Sequence, residues 1–229
     1  MLFIVDFDGT IAPTDTVDAL LERFADPEWR RVEERWIAGQ IDSRECMQAQ
    51  LALVRADRAS LEDFLQSVVI DPFFPDFVRY ASTFADVAVV SDGLDYTIRH
   101  ALQRLNIPPI PLYANRLEFR NQGLGISFPH TDTACAPRSG VCKCAVARAL
   151  DGGREPSTVL IGDGRSDRCL ARSANHVFAR GSLQKFCEDE GIIHTPFDSF
   201  EDVLVVVRKW NTGQLNPRLL EKPCPQEAR

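Results

Sequence analysis

The segment FIVDFDGT places Asp6 and Asp8 at the end of an apolar run. A lone buried charge is costly unless it is paired or bound to a metal. Two later segments have the same build: VAVVSDG ends in Ser91, Asp92 and Gly93, and TVLIGDGRSD carries Asp163 and Asp167. Carboxylates gathered at one point need a cation, and oxygen-only ligands suit a hard ion such as Mg²⁺, which also binds substrate phosphate. The Ser91 hydroxyl, backbone N–H groups around Asp92 and Gly93, and the ammonium of Lys143 would complete a phosphate cradle. Phosphoryl transfer asks a protein mainly to position groups and stabilise spreading charge, and a carboxylate can itself be the nucleophile. On this reading Asp6 attacks phosphorus and becomes an aspartyl-phosphate. Asp8 leans to the same side, because strand side chains alternate. It is suited to protonate the leaving oxygen and then to deprotonate the hydrolytic water. Phe7 points into the core, and Gly9 lets the chain turn close to the metal.

These residues meet only if the elements bring their strand ends together. Residues 2–5 read as a short buried strand. Further strands are expected at 87–90, 158–161, 176–179 and 192–195, with strand signals near 110–114 and 117–128, the latter a hairpin around NQG. Helices are expected through Phe77 and Tyr80, at about 94–105, from near Cys142, after 161, after 179 and over 199–210. Strands alternating with helices imply a parallel sheet covered on both faces. Open sheets of this kind bind ligands beyond the carboxyl ends of their strands, so the three acidic segments face one crevice. Between the first two of them lie four helical segments, marked by Val17 to Phe24, by Asp26-Pro27-Glu28 leading to Trp29 and Trp36, by Ser43 to Val54, and by Ser60 to Val68.

The expected fold is therefore α/β: a Rossmann-like core from 1–13 and 71–215, an all-helical cap from 14–70, and a loosely held Pro-rich tail from 216–229. A chain of 229 residues, 45% hydrophobic and 26% charged, has the composition of an ordinary soluble domain. Its net charge of −7 argues against a nucleic-acid or membrane surface as the main partner. No apolar run approaches the roughly 20 residues that span a bilayer, and MLFIVD lacks the basic lead of a signal peptide. Seven cysteines, an odd number without small-scaffold spacing, fit reduced thiols in a cytoplasm. Oligomeric state carries no signal in the sequence.

DFDGT, the Ser of VVSDG, the Lys143 helix and GDGRSD together resemble the four motifs of the haloacid dehalogenase superfamily, in order and in context over about residues 1–200. The resemblance implies Asp6 as nucleophile and Asp8 as acid and base. It implies Mg²⁺ held by Asp6, the Asp8 carbonyl and Asp163, with Asp167 beside the metal and Ser91 and Lys143 on the phosphate. Asp8 favours the phosphatase branch over true dehalogenases, which lack it and use no metal. The helical insert resembles the cap of the phosphoserine-phosphatase-like subgroup, in which Asp15 matches a substrate-facing acid. FPHTDTACAPRSGVCKC, SDGLDYTI and ADPEWRRVEERW are similar to a methionine-salvage branch, making an enol phosphate of that pathway the first substrate expected and phosphoserine the second. Asp92 and Arg165 depart from the familiar patterns.

Other readings compete. Asp15 could simply cap a helix, and Arg44 and Arg55 could lie on an exposed cap face. Trp29 and Trp36 read as cap packing rather than a substrate platform. Cys135, Cys142, Cys144 and His130 lack the paired spacing of a zinc site. His100, His176 and His194 carry no assigned chemistry, and Lys185 follows all the motifs. A phosphate-accepting signalling module also groups acids, a hydroxyl and a lysine on a parallel sheet, but carries its acceptor on a later strand and no helical insert. A catalytically silent phosphate binder is the remaining alternative.

Overall fold

The computed structural model describes residues 1–120, 123–135, 138–151 and 157–212. Strands β1 (Leu2–Val5), β2 (Asp86–Leu94), β3 (Leu112–Phe119), β4 (Leu124–Ser127), β5 (Thr158–Gly162), β6 (His176–Ala179) and β7 (Thr195–Pro196) form one sheet in the order β4-β3-β2-β1-β5-β6-β7. Every pairing is parallel except the β3–β4 hairpin. β1 lies between β2 and β5, with Val5 level with Val89 and Ile161. The three acid-bearing segments are thus neighbours that end on one edge.

The helices are α1 (Thr16–Phe24), α2 (Trp29–Ile37), α3 (Ser43–Ala52), α4 (Arg58–Gln66), α5 (Phe74–Ala81), α6 (Asp95–Gln103), α7 (Lys143–Asp151), α8 (Arg168–Ala171), α9 (Gly181–Asp189) and α10 (Phe200–Asn211). Phe3 and Val5 point to the sheet face covered by α5, α6 and α10, where Phe74, Phe77, Ile98 and Phe200 pack. Leu2 and Ile4 point to the other face, under α7, α8 and α9, against Val146, Leu170 and Leu183. Burial on both faces explains why β1 is apolar throughout.

The four cap helices enclose a second core of Leu20, Leu21, Trp29, Leu51, Val54, Leu61, Phe64 and Leu65. This core rests on Leu94, Leu117, Leu124 and Ile126, so β2 and the β3–β4 hairpin form its floor. Asp42 and Glu45 make a capping box at the start of α3, and Asp57 caps α4. Those acids, rather than Ser43 and Ser60, terminate the two helices: a side-chain oxygen one residue before the first turn reaches its free N–H groups.

Other boundaries also shift. β2 continues through Ser91, Asp92 and Gly93 with an irregularity before Leu94. That stretch is a bulged strand rather than a loop. β3 unites two expected strands into one, and the IIHT segment contributes only Thr195 to β7. The Asn121–Gln122 hairpin tip and the tail from Asn216 lie outside the described residues. The chain's return from the cap is pinned. The Asp71 N–H donates to the Ile11 carbonyl at 2.9 Å, and the buried Asp71 carboxylate accepts from Phe73 N at 2.9 Å and Phe200 N at 3.0 Å. Asp71 thereby ties the end of the cap to the start of the cap and to α10. Among the described residues no helix is long and apolar enough to cross a membrane.

Candidate active site

A cavity of about 720 Å³ lies between the cap and the carboxyl edge of the sheet. Asp6, Asp8, Ser91, Asp92, Gly93, Lys143 and Asp163 line its floor. Asp15, Asp18, Glu33, Trp36, Met47 and Gln50 are among the cap residues that line its roof.

Asp6 follows β1 and is buried. Its Oδ1 accepts the Phe7 N–H at 2.7 Å, and its Oδ2 lies 2.6 Å from Lys143 Nζ. Burial pushes the Asp6 carboxyl up; Lys143 opposes this, and Asp167 and Asp163 add to it. Lys143 opens α7 and also meets Asp167 Oδ1 at 2.5 Å. Burial alone would lower the ammonium, but the Asp167 and Asp6 carboxylates hold it well above its usual range. The second Asp167 oxygen accepts the Asp163 and Gly164 N–H groups at 3.2 and 3.1 Å. Asp167 therefore aims Lys143 and closes its own loop.

Asp6, Asp163 and Asp167 each offer an oxygen within 4.8 Å of the others, the one such group of three among the described residues. Burial and the Asp167 charge raise the Asp163 carboxyl to about 6. Crowded, desolvated carboxylates of this kind fit a hard divalent cation. Asp8 contributes no side-chain oxygen to that group.

Asp8 Oδ1 accepts from Thr16 N at 2.8 Å and Thr16 Oγ1 at 2.6 Å. Its Oδ2 is buried and has no hydrogen-bond partner. Burial, then the Asp15 charge, raise this carboxyl to about 7, a value suited to giving and taking a proton near neutrality. A Cβ on Gly93 would lie 2.2 Å from Asp8 Oδ2, so glycine leaves that oxygen its space. Gly9, at φ +70°, makes the turn between Asp8 and Asp163 with no room for a side chain. The Gly93 N–H donates to Ser91 Oγ at 3.0 Å, which leaves the hydroxyl proton free for an incoming anion.

Two of the expected ligands, Asp92 and Asp15, line the cavity and also support the fold. The Asp92 carboxylate accepts the Val141 N–H at 2.6 Å and so tethers the segment leading to Lys143. Asn115 Nδ2 holds the Asp92 carbonyl at 2.6 Å. Asp15 caps α1, accepting from Val17 and Asp18 N–H groups, while also lining the cavity. Arg44 and Arg55 do not line it. Trp29 packs in the cap core as expected, but Trp36 faces the cavity.

Sequence reasoning missed several supports. Thr10 Oγ1 donates to Asp163 at 2.8 Å, and Ser166 Oγ reaches Asp6 Oδ2 at 3.4 Å. Arg180 donates through Nε to the Gly9 carbonyl at 2.6 Å and through Nη2 to the Thr10 carbonyl at 3.2 Å. Arg180 ends β6 on the same edge as the other site residues, a position that strand-end reasoning alone would flag.

Comparisons with known proteins agree with this geometry. The family model described as haloacid dehalogenase-like hydrolase matches residues 3–172. A 2-hydroxy-3-keto-5-methylthiopentenyl-1-phosphate phosphatase of Exiguobacterium sibiricum is 37% identical over 208 residues, covering 88% of this chain and 93% of the relative. The protein of the same name from Bacillus thuringiensis subsp. konkukian is 31% identical over 202 residues, covering 86% and 91%. A solved phosphoserine phosphatase carrying a phospho-aspartyl intermediate analogue superposes with a TM-score of 0.67 at 17% identity, over 90% of this chain and 97% of the other. A probable phosphoserine phosphatase from Vibrio cholerae gives 0.69 at 19% identity, over 94% and 67%. With its motifs on adjacent strand ends and most of its length matched, the chain belongs to the haloacid dehalogenase-like hydrolase family.

Proposed function

We propose that this protein is a Mg²⁺-dependent phosphomonoesterase acting on a small phosphorylated metabolite, with 2-hydroxy-3-keto-5-methylthiopentenyl-1-phosphate the first candidate. The observation that carries the reading is the pairing of an anchored Asp6 carboxylate with an Asp8 carboxyl whose second oxygen is unpartnered, at the floor of one capped cavity. Asp6 attacks phosphorus as the bond to the leaving oxygen breaks, and Asp8 gives that oxygen its proton. Water then attacks the aspartyl-phosphate, Asp8 takes the proton back, and inorganic phosphate leaves. Ser91, Lys143 and the N–H groups around Gly93 hold the phosphoryl oxygens. A divalent cation held by Asp6, Asp163, Asp167 and the Asp8 carbonyl would offset the charge that builds when an anionic ester meets these carboxylates. The cap, residues 14–70 on a core of 1–13 and 71–215, excludes bulk water. Free thiols at Cys46, Cys135, Cys142, Cys144, Cys169 and Cys187 support a cytoplasmic setting.

Purified protein should hydrolyse p-nitrophenyl phosphate and the keto-enol phosphate in Mg²⁺ and lose both activities in EDTA. A stable phosphoprotein without turnover would instead favour the signalling module. Phosphoserine is the runner-up, but no Lys or Arg of the cap lines the cavity to meet its carboxylate.

Metal binding should also be visible without catalysis. Asp163, raised to about 6, must lose its proton to serve as a ligand. At 100 times its Kd, Mg²⁺ should stabilise the fold by about 2.7 kcal/mol at pH 8. At pH 5, where a proton competes, about half of that should remain. The sign agrees with linkage in the metal-free protein. Folded-state values of about 7 for Asp8 and about 6 for Asp163 lie above the unfolded 3.8, so their contribution to stability falls as pH rises from near 4 to near 7. Thermal melts with and without Mg²⁺ at both pH values check this; a shift equal or larger at pH 5 would contradict it.

A further inference from the structure

Arg165 lies between Asp163 and Ser166 and lines the cavity. Its guanidinium sits 4.9 Å from the centroid of the Trp36 ring, so it reaches from the catalytic loop to the cap. Trp36 is held in turn, its Nε1 donating to Ser43 Oγ at 3.1 Å. Of the other three cations lining the cavity, two are paired with carboxylates, and the third, Arg168, has a buried Nε without a hydrogen-bond partner. Lys143 is clamped by two carboxylates. Arg168 stacks on Phe186, while Arg172 stacks on the same ring and pairs with Glu190. Among the described residues, the Arg165 guanidinium has no carboxylate within ion-pair distance and no hydrogen-bond partner, while the Arg165 carbonyl accepts the Arg168 N–H. Stacking uses the flat face of a guanidinium and leaves its N–H donors in the plane, at the edge.

The opposite wall has the contrary character. Cap residues lining the cavity include Asp15, Asp18, Glu33 and Asp42, and no Lys or Arg. Glu33 already accepts from Gln50 at 2.7 Å and Asp42 pairs with Arg138 at 3.1 Å, which among the described residues leaves Asp15 and Asp18 as the wall's unpaired acids. Such a wall accepts hydrogen bonds from hydroxyl groups and repels a carboxylate.

We propose that Arg165, fixed flat against Trp36, is the specificity-determining residue of this site and binds a carbonyl oxygen of the leaving group. The class of substrate is then a phosphate ester of a neutral, carbonyl-bearing alcohol or enol without a free carboxylate. Because Trp36 belongs to the cap and Arg165 to the core, the donor fork is set only when the cap is closed. Recognition of the carbonyl and exclusion of water therefore occur together. The inference rests on the phosphatase reading above and narrows it.

The test compares wild type, Arg165→Met, Arg165→Lys and Trp36→Leu on three Mg²⁺-loaded substrates: 2-hydroxy-3-keto-5-methylthiopentenyl-1-phosphate, O-phospho-L-serine and p-nitrophenyl phosphate. A charge-assisted hydrogen bond predicts that Arg165→Met loses about 30-fold more kcat/KM on the keto-enol phosphate than on p-nitrophenyl phosphate, chiefly through KM. Arg165→Lys should recover only part of this, since an ammonium keeps the charge but not the stacked fork. Trp36→Leu should show the same selective loss. Equal losses on all substrates, as a merely structural role would give, or no loss on any, would overturn the proposal. Wild type that prefers phosphoserine would overturn it as well, while leaving the phosphatase reading intact. Absence of Mg²⁺-dependent p-nitrophenyl phosphate hydrolysis by wild type would remove that reading, and the proposal with it.

Discussion

Asp6→Asn should lower kcat by about 10⁴-fold or more while leaving the protein folded, because an amide cannot form the covalent intermediate. The geometry argues that stability will not suffer. The amide oxygen can accept from the Phe7 N–H or from Lys143 but not from both, and Lys143 keeps Asp167 as its partner. Asp6 itself sits where burial disfavours its charge. Removing that charge is expected to leave the melting temperature of the metal-free protein unchanged or higher, the usual sign of a residue retained for chemistry rather than for the fold. Hydrolysis of p-nitrophenyl phosphate by the purified variant, followed beside a circular-dichroism melt, checks both halves. Turnover within tenfold of wild type would end the assignment of Asp6 as nucleophile.

Lys143→Met should do damage of both kinds. Its ammonium lies between Asp6 and Asp167 in a buried setting, so its loss strands two carboxylates without their cation. Breaking a buried pair by removing one partner costs about 3–5 kcal/mol, a fall of roughly 10 °C in Tm for a chain of this size. The direction with pH is fixed. Losing Lys143 removes an influence that lowers the Asp6 carboxyl, so the folded value rises further above the unfolded one. The deficit should therefore be largest at pH 8 and shrink toward pH 5, where the stranded acids can hold protons. Mg²⁺ should restore part of the Tm, because a second cation reaches the same carboxylates. It should restore little activity, because the phosphate loses one of its donors. A Tm loss under about 3 °C at pH 8 would mean that Lys143 does not carry this load.

The chemistry was more legible in the sequence than its support. Asp6, Asp8, Ser91 and Asp163 stand out because apolar runs that end in Gly-bearing polar turns are rare patterns with a definite meaning on a parallel sheet, and Lys143 because it opens an expected helix. The structure brings all five to one cavity. The structural task of Asp92 is not legible in its neighbourhood, where it stands simply beside Ser91 in the cavity lining. Its partner, the Val141 N–H, lies 49 residues away and leaves no local trace. Arg180 does leave a local trace, its place directly after β6, but its targets Gly9 and Thr10 are separated from it by most of the chain. The expected strand stops at residue 90 because Ser-Asp-Gly is turn chemistry by composition; pairing of Leu94 with Asn115 carries β2 through it. Trp36 looked like packing because aromatic spacing along a helix does not say which element the ring will meet.

The bond between the Asp71 N–H and the Ile11 carbonyl has a wider implication. The polypeptide departs toward the lid and comes back at two points fastened side by side, so everything between them is an excursion that begins and ends in one place. Such a loop of chain can be lengthened, shortened or exchanged without stretching the catalytic sheet. The one demand on a replacement is that it shield Leu94, Leu117, Leu124 and Ile126, which the present lid covers. The architecture thus lets the lid's share of the cavity wall, Trp36 included, be exchanged while Arg165 and the catalytic strand ends stay in place.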